Sequence, residues 1–398
     1  MKKTLLTLIG LAAFSLAGGY AAAFTPGNII VGRLGDGNTT LTSSATSISL
    51  LEFSPFGGAA SQTLSTQFAG ENLQTDSGSA TSNGYISFGG GKYLAVSGHN
   101  ATLGTASVAS SNNKVAQIID VTTGNVVSRV AFPTGGPSGT PQSPYSGNNF
   151  RSIIPIGQNA FYTGGTSSGS PNTGGVWHYD GSAFTQISNT AQLSNVRNVE
   201  VYAGQLYVSS SSGAFLGISS VGSGLSTSAN QTTTLQINMG TGASPYGFVL
   251  FDTNNDSQTD TAFIADDRTA TGGGLNKYTF DGSTWTKQYS LLLSSTNSTF
   301  SSTAATGFAG IRGLAGSYDS ATGFSLFATT AETSNNRLVQ ISDNGTTPTA
   351  FATLGSAGTN YVFRGLDVVP VPEPSTWALI GLGSAFLLWR IRRKNSAV

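Results

Sequence analysis

Phe363-Arg364-Gly365-Leu366-Asp367-Val368-Val369 reads as a β-strand with no partner following it, because the chain turns proline-rich at Pro370. The start of the chain has the opposite defect. Three short apolar runs, residues 28–33, 48–53 and 63–67, alternate like strands but lack a leader. Joined, the last strand and the first three make one complete four-stranded blade, which is how a ring of blades protects its sheet edges.

The interior of the chain supports the ring. A strand, a polar turn and a second strand rich in Tyr, Phe and Val keep returning. Tyr85-Ile86-Ser87-Phe88 precedes residues 93–96, and Phe150-Arg151-Ser152-Ile153 precedes residues 160–162. Val196-Arg197-Asn198-Val199 precedes Leu206-Tyr207-Val208, and Gly247-Phe248-Val249-Leu250 precedes residues 262–264. Gly310-Ile311-Arg312-Gly313-Leu314 precedes residues 324–327. Unit starts near 85, 150, 196, 247, 310 and 363 give spacings close to those of propeller blades. Further runs at 115–121 and 126–132 are separated by Thr123-Gly124-Asn125, and Asp180-Gly181, Ala203-Gly204 and Asp281-Gly282 mark other hairpins. We therefore expect an all-β fold, a β-propeller of six blades over residues 24–369, closed by its N- and C-terminal strands.

Composition narrows the function classes. Six of the 18 Lys and Arg lie at the two ends, and Glu373 lies in the tail, so residues 24–369 carry 12 cations against 17 acids, about −5. A mildly acidic domain without a basic patch argues against nucleic acid as a partner. Without cysteine, disulfides, thiolate chemistry and cysteine-ligated zinc are excluded.

Both ends read as addresses. Lys2 and Lys3 precede an apolar stretch over residues 5–17, and Ala21-Ala22-Ala23 offers small residues to signal peptidase, so residues 1–23 read as a signal peptide. At the other end, Val371-Pro372-Glu373-Pro374 is an extended, proline-stiffened element open to a protease. Residues 377–389 are uncharged and bounded by Trp377 and Trp389, a short transmembrane helix with aromatic ends. Arg390, Arg392, Arg393 and Lys394 form the stop that holds the C-terminus in the cytoplasm. This arrangement resembles the PEP-CTERM sorting signal of Gram-negative bacteria that export extracellular polysaccharide. The resemblance implies that residues 370–398 anchor the protein transiently in the membrane and are processed by an exosortase-type membrane protease. Gly27-Asn28, Gly35-Asp36-Gly37 and Leu206-Tyr207-Val208-Ser209 are similar to features of other proteins with this tail, which also look like propellers and lend no known activity.

The sharpest local signal for chemistry is Asp252-Thr253-Asn254-Asn255-Asp256-Ser257-Gln258-Thr259-Asp260. Side-chain oxygens of Asp252, Asn254, Asp256 and Asp260 at positions 1, 3, 5 and 9, with the Gln258 carbonyl at position 7, match a calcium loop. The loop resembles those of integrin-type propeller blades, but Ser257 stands where glycine is usual. Asp266-Asp267-Arg268 reads as a solvated turn with a local ion pair. Gly165-Thr166-Ser167-Ser168-Gly169 has nucleophile-elbow spacing without the strand–helix setting that motif needs. His99 and His178 read as loop or edge residues without metal-ligand spacing. Arg151, Arg197, Arg312 and Arg364 recur at equivalent places, which favours pairing between blades over an anion or carboxylated-sugar site.

These features point to a non-enzymatic surface or matrix protein that binds exopolysaccharide or envelope components, with Tyr145, Trp177 and Trp285 as exposed stacking residues. An extracellular lyase or hydrolase on a propeller scaffold is the alternative, and an ice-binding protein the second, although its threonines are scattered.

Overall fold

A computed structural model of the chain describes residues 23–66, 74–135 and 143–371. The expected signal peptide, the Pro372-Glu373-Pro374 element, the transmembrane helix at 377–389 and the stop at Arg390, Arg392, Arg393 and Lys394 lie outside the described residues. Among those described, no helix is long and apolar enough to cross a membrane.

The fold is all-β and propeller-like. The N-terminal part contributes β1 (Ile29–Gly35), β2 (Ala45–Phe53), β3 (Gln62–Ser65), β4 (Gln74–Ser77), β5 (Ile86–Gly89), β6 (Tyr93–Asn100), β7 (Lys114–Asp120) and β8 (Asn125–Ala131). Two four-stranded meanders follow. One is β9 (Phe150–Pro155), β10 (Phe161–Gly165), β11 (Gly175–Tyr179) and β12 (Phe184–Gln186). The next is β13 (Asn198–Tyr202), β14 (Gln205–Ser210), β15 (Gly217–Val221) and β16 (Thr233–Asn238). A third, β17 (Pro245–Phe251), β18 (Thr261–Asp266), β19 (Gly274–Phe280) and β20 (Trp285–Ser294), gains the short β21 (Phe300–Ser301) and β22 (Phe308–Ala309) on its outer strand. The fourth is β23 (Ile311–Asp319), β24 (Gly323–Thr330), β25 (Arg337–Asp343) and β26 (Ala352–Ser356), and β27 (Tyr361–Val368) ends the fold.

All six expected units recur as leading strands, but six separate blades do not. Four blades stand alone, and the other strands form one nine-stranded sheet. Its cause is β4, a strand the sequence reading lacks. β4 pairs with β2 on one side and β6 on the other, stitching β27–β1–β2–β3 to β5–β6–β7–β8. Gln74, Thr75, Asp76 and Ser77 are all buried. A wholly polar strand has no alternation to betray it.

Closure occurs where the chain ends meet. β27 runs antiparallel to β1, with Leu34 opposite Val362 and Ile29 opposite Val368. The Gly27 N–H donates to the Val369 carbonyl at 2.9 Å, so the two termini of the domain leave side by side. The leading strands β27, β5, β9, β13, β17 and β23 pack in that order and return to β27. Apolar clusters lie between successive sheets, as where Ile218, Ile237 and Met239 meet Phe248, Leu250 and Ile264. The nine-stranded sheet folds over a cluster of its own, Ile30, Leu34 and Leu50 against Leu94, Val96 and Ile119.

Candidate functional site

Six positions, one on or beside each leading strand, face the middle of the ring: Tyr85, Arg151, Arg197, Tyr246, Arg312 and Arg364. The register explains their aim. Between Ile311 and Leu314, Pro245 and Phe248, and the partners of Val31 and Arg33, two residues oppose one on the neighbouring strand. Such bulges redirect a side chain, and here they carry Arg312, Tyr246 and Arg364. Glycine follows each because the adjacent strand is too close for a Cβ. One on Gly313 would stand 2.6 Å from the Arg364 carbonyl oxygen, and one on Gly365 2.5 Å from the Tyr85 Cα.

The ring is closed rather than open. Tyr85 reaches over to donate its hydroxyl to the Arg312 carbonyl at 3.0 Å, and the Tyr246 and Thr81 hydroxyls meet at 3.1 Å. Arg151 donates to Asn195 and, at 3.0 Å, to the Val196 carbonyl. Arg197 donates to Ser244 at 2.7 Å and stacks over Tyr246 at 4.0 Å. Arg312 pairs with Asp267 at 3.2 Å, and Arg364 donates to the Gly78 carbonyl at 2.9 Å. Pairing between units is thus part of what these arginines do.

Three residues on from Arg197 and Arg364 stand two carboxylates, Glu200 and Asp367. Glu200 accepts from the Ser87 hydroxyl at 2.8 Å and the Asn198 amide at 3.1 Å. Asp367 accepts the Phe88 N–H at 2.7 Å. Both side chains are partly buried. Burial pushes Glu200 well above the carboxylate range, with the Asp367 charge adding to it, and burial lifts Asp367 to about 7. No residue of this pair was singled out by sequence.

The other predicted chemical residues fall elsewhere. Asp252 accepts the N–H groups of Asp256 at 3.2 Å and Ser257 at 2.8 Å, Asn254 accepts that of Asp256 at 3.0 Å, and Asp256 that of Gln258 at 2.8 Å. Asp260 is turned to Thr253 and Thr261. Ser257 has φ 70, the conformation glycine would supply, at a cost of about 1 kcal/mol. Among the described residues, no group of three or more His, Asp or Glu is gathered as a metal site.

Several local readings need correction. Asp266 is fully buried and holds Arg268 by two contacts of 2.8 and 2.7 Å, while Asp267 turns to Arg312, so this is no solvated turn. His99 and His178 are strand residues in the interior, His99 lying 3.5 Å from buried Asp76. Ser167 sits in the loop between β10 and β11, bonded to Asn172 at 2.9 Å. Tyr145 and Trp177 are buried in an aromatic cluster with Phe132, Phe150 and Phe161, their polar tips satisfied by Thr163 and the Thr173 carbonyl. Only Trp285 of the three expected stacking residues keeps an accessible face.

That face opens on a cleft of about 350 Å³ between the β13–β16 and β17–β20 blades. Its lining includes Gln205, Tyr207, Gln236, Gln258, Phe280 and Trp285. The Phe280 and Trp285 rings lie 5.2 Å apart. No carboxylate, histidine or cation lines it.

Comparison with known protein families matches residues 370–394 to the PEP-CTERM protein-sorting motif. No curated protein matches the chain. The protein thus combines a propeller-like fold with a C-terminal sorting motif. That motif implies export, transient membrane anchoring and exosortase processing in a Gram-negative bacterium.

Proposed function

We propose that this is an exported surface or matrix protein whose propeller binds polysaccharide without transforming it. Residues 1–23 direct export and are removed, and the tail is processed after the domain has crossed the membrane. The observation carrying the binding role is the cleft of aromatic rings and neutral amides between two blades. Sugar rings offer C–H faces that stack on Trp and Tyr, and hydroxyl edges that suit Gln side chains. An uncharged lining of aromatic rings and amides suits an uncharged sugar. Its ligand is therefore an uncharged stretch of an exopolysaccharide or envelope glycan. The Asp252 loop supplies Ser257, Gln258 and Thr259 to one wall, and weak calcium binding there would stiffen it.

Titration calorimetry with neutral polysaccharide fractions tests the proposal. Trp285→Ala should weaken binding at least about tenfold, about 1.4 kcal/mol, in protein that still melts cooperatively. Gln236→Ala, at an exposed position, should weaken it less. Equal affinity in wild type and Trp285→Ala would remove the cleft from consideration. Release of shortened or unsaturated sugars by the wild type would replace binding with catalysis.

A further inference from the structure

The arginine ring has more charge and more donors than its protein partners use. Three of its guanidiniums are almost wholly buried: Arg151, Arg312 and Arg364 are 8, 9 and 3 % exposed. Arg151 Nε, Arg312 Nη1, and Arg364 Nε and Nη1 have no hydrogen-bond partner among the described residues. Buried polar groups are nearly always satisfied, and an unpaired buried charge costs several kcal/mol.

The charges do not balance either. Arg151 lies near Arg197, Arg364 near Arg312, and all of them near Tyr85 or Tyr246. Against these four cations stand, among the described residues, Asp267, paired with Arg312, and Asp76, whose Oδ2 accepts no hydrogen bond. Lys114, also buried, is a further cation near Asp76. Losing protons is no remedy, since burial brings Arg151 and Arg364 down only to about 10.

We infer that the ring encloses a small inorganic anion, a halide or a tetrahedral oxyanion, held by the neighbouring Arg312 and Arg364 as a permanent part of the fold. Guanidinium forks bind such ions through paired, charge-assisted N–H bonds. Tyr85 and Tyr246, 5 and 2 % exposed, lie among the arginines, with Arg197 and Arg312 at 4.0 and 5.7 Å from the Tyr246 ring. The segment at residues 78–84 roofs them, bonded to Arg364 through Gly78 and to Tyr246 through Thr81. An enclosed site of this kind suits a free ion and shuts out a carboxylate borne on a polymer.

The test uses the purified protein, passed through gel filtration in a buffer free of halide, sulfate and phosphate. Denaturation followed by ion chromatography should release one of these ions in a single equivalent per chain. In parallel, the melting temperature should rise with the logarithm of added chloride, sulfate or phosphate, the steepest response naming the ion class. Arg364→Met should abolish both the release and the response. The wild-type measurements decide the question should that variant fail to fold. A wild type that releases no anion, and melts identically in all three salts and their absence, overturns the inference, leaving water as the partner of these donors.

Discussion

Leu34 and Val362 stand opposite each other on antiparallel strands, one near the start of the domain and one near its end. This pairing makes the ring continuous. β27 brings Val362, Phe363 and Leu366 into clusters shared with β1, β2 and the β23–β26 blade. Burying each such side chain is worth about 1.5–3 kcal/mol, so the strand's loss approaches the 5–15 kcal/mol that typically holds a whole domain together. Truncation after Gly355 should therefore yield protein without a cooperative melt. A truncated chain that unfolds sharply near the wild-type temperature would show that closure is dispensable.

The leading strands were legible because buried strands announce themselves as short apolar runs between turn residues. Tyr202-Ala203-Gly204-Gln205 is an example: both central residues have positive φ, 47 and 71, the two-residue turn that hairpins favour. β27 was legible because it lacked a local partner. β4 was not, since buried Gln, Thr, Asp and Ser look like loop until β2 and β6 supply their hydrogen bonds. The same limit hid Glu200 and Asp367, whose meeting depends on ring closure. The burial of Tyr145 and Trp177 shows that aromatic content does not by itself mark a surface; Trp285 differs by lying at a blade edge.

Processing of the tail is a second prediction. Val369 is bonded to Asn28, whereas Val371 is 69 % exposed, so the chain leaves the domain just before the proline-rich element. Mass spectrometry of envelope protein from a host with an exosortase should show no peptides from residues 377–398. An intact tail on the mature surface protein would contradict this.

Calcium at the Asp252 loop gives a small, measurable effect. Asp252 and Asn254 already share the Asp256 N–H, and the strained Ser257 keeps affinity in the weak extracellular range, about 10⁻⁴ to 10⁻³ M. At millimolar calcium the expected gain is about 0.4 to 1.4 kcal/mol. Calorimetric melts with calcium and with chelator should differ by that amount in wild type and not in Asp256→Ala. Identical responses in the two proteins would leave the loop a polar hairpin.

The pair Glu200 and Asp367 sets a pH dependence of unusual sign. Paired surface carboxylates have lowered values and stabilise a fold as pH rises through them. Here burial raises both groups in the folded state, Asp367 to about 7 and Glu200 well above the ordinary carboxylate range. The folded protein therefore binds protons that the unfolded chain releases near pH 4. Their contribution is fully present below that pH, declines as pH rises above it, and for Asp367 is lost through about pH 7. Stability should fall between about pH 5 and pH 8, with Asp367 marking the upper part of that window. Glu200→Gln keeps an acceptor for Ser87 and Asn198 while removing one proton-dependent charge. It should flatten the decline and raise the melting temperature at pH 8, with little change at pH 5. Denaturant titrations across this range measure the slope directly. A wild-type stability that climbs from pH 5 to pH 8, or a Glu200→Gln profile parallel to it, would mean that the two carboxylates are ionised in the folded protein.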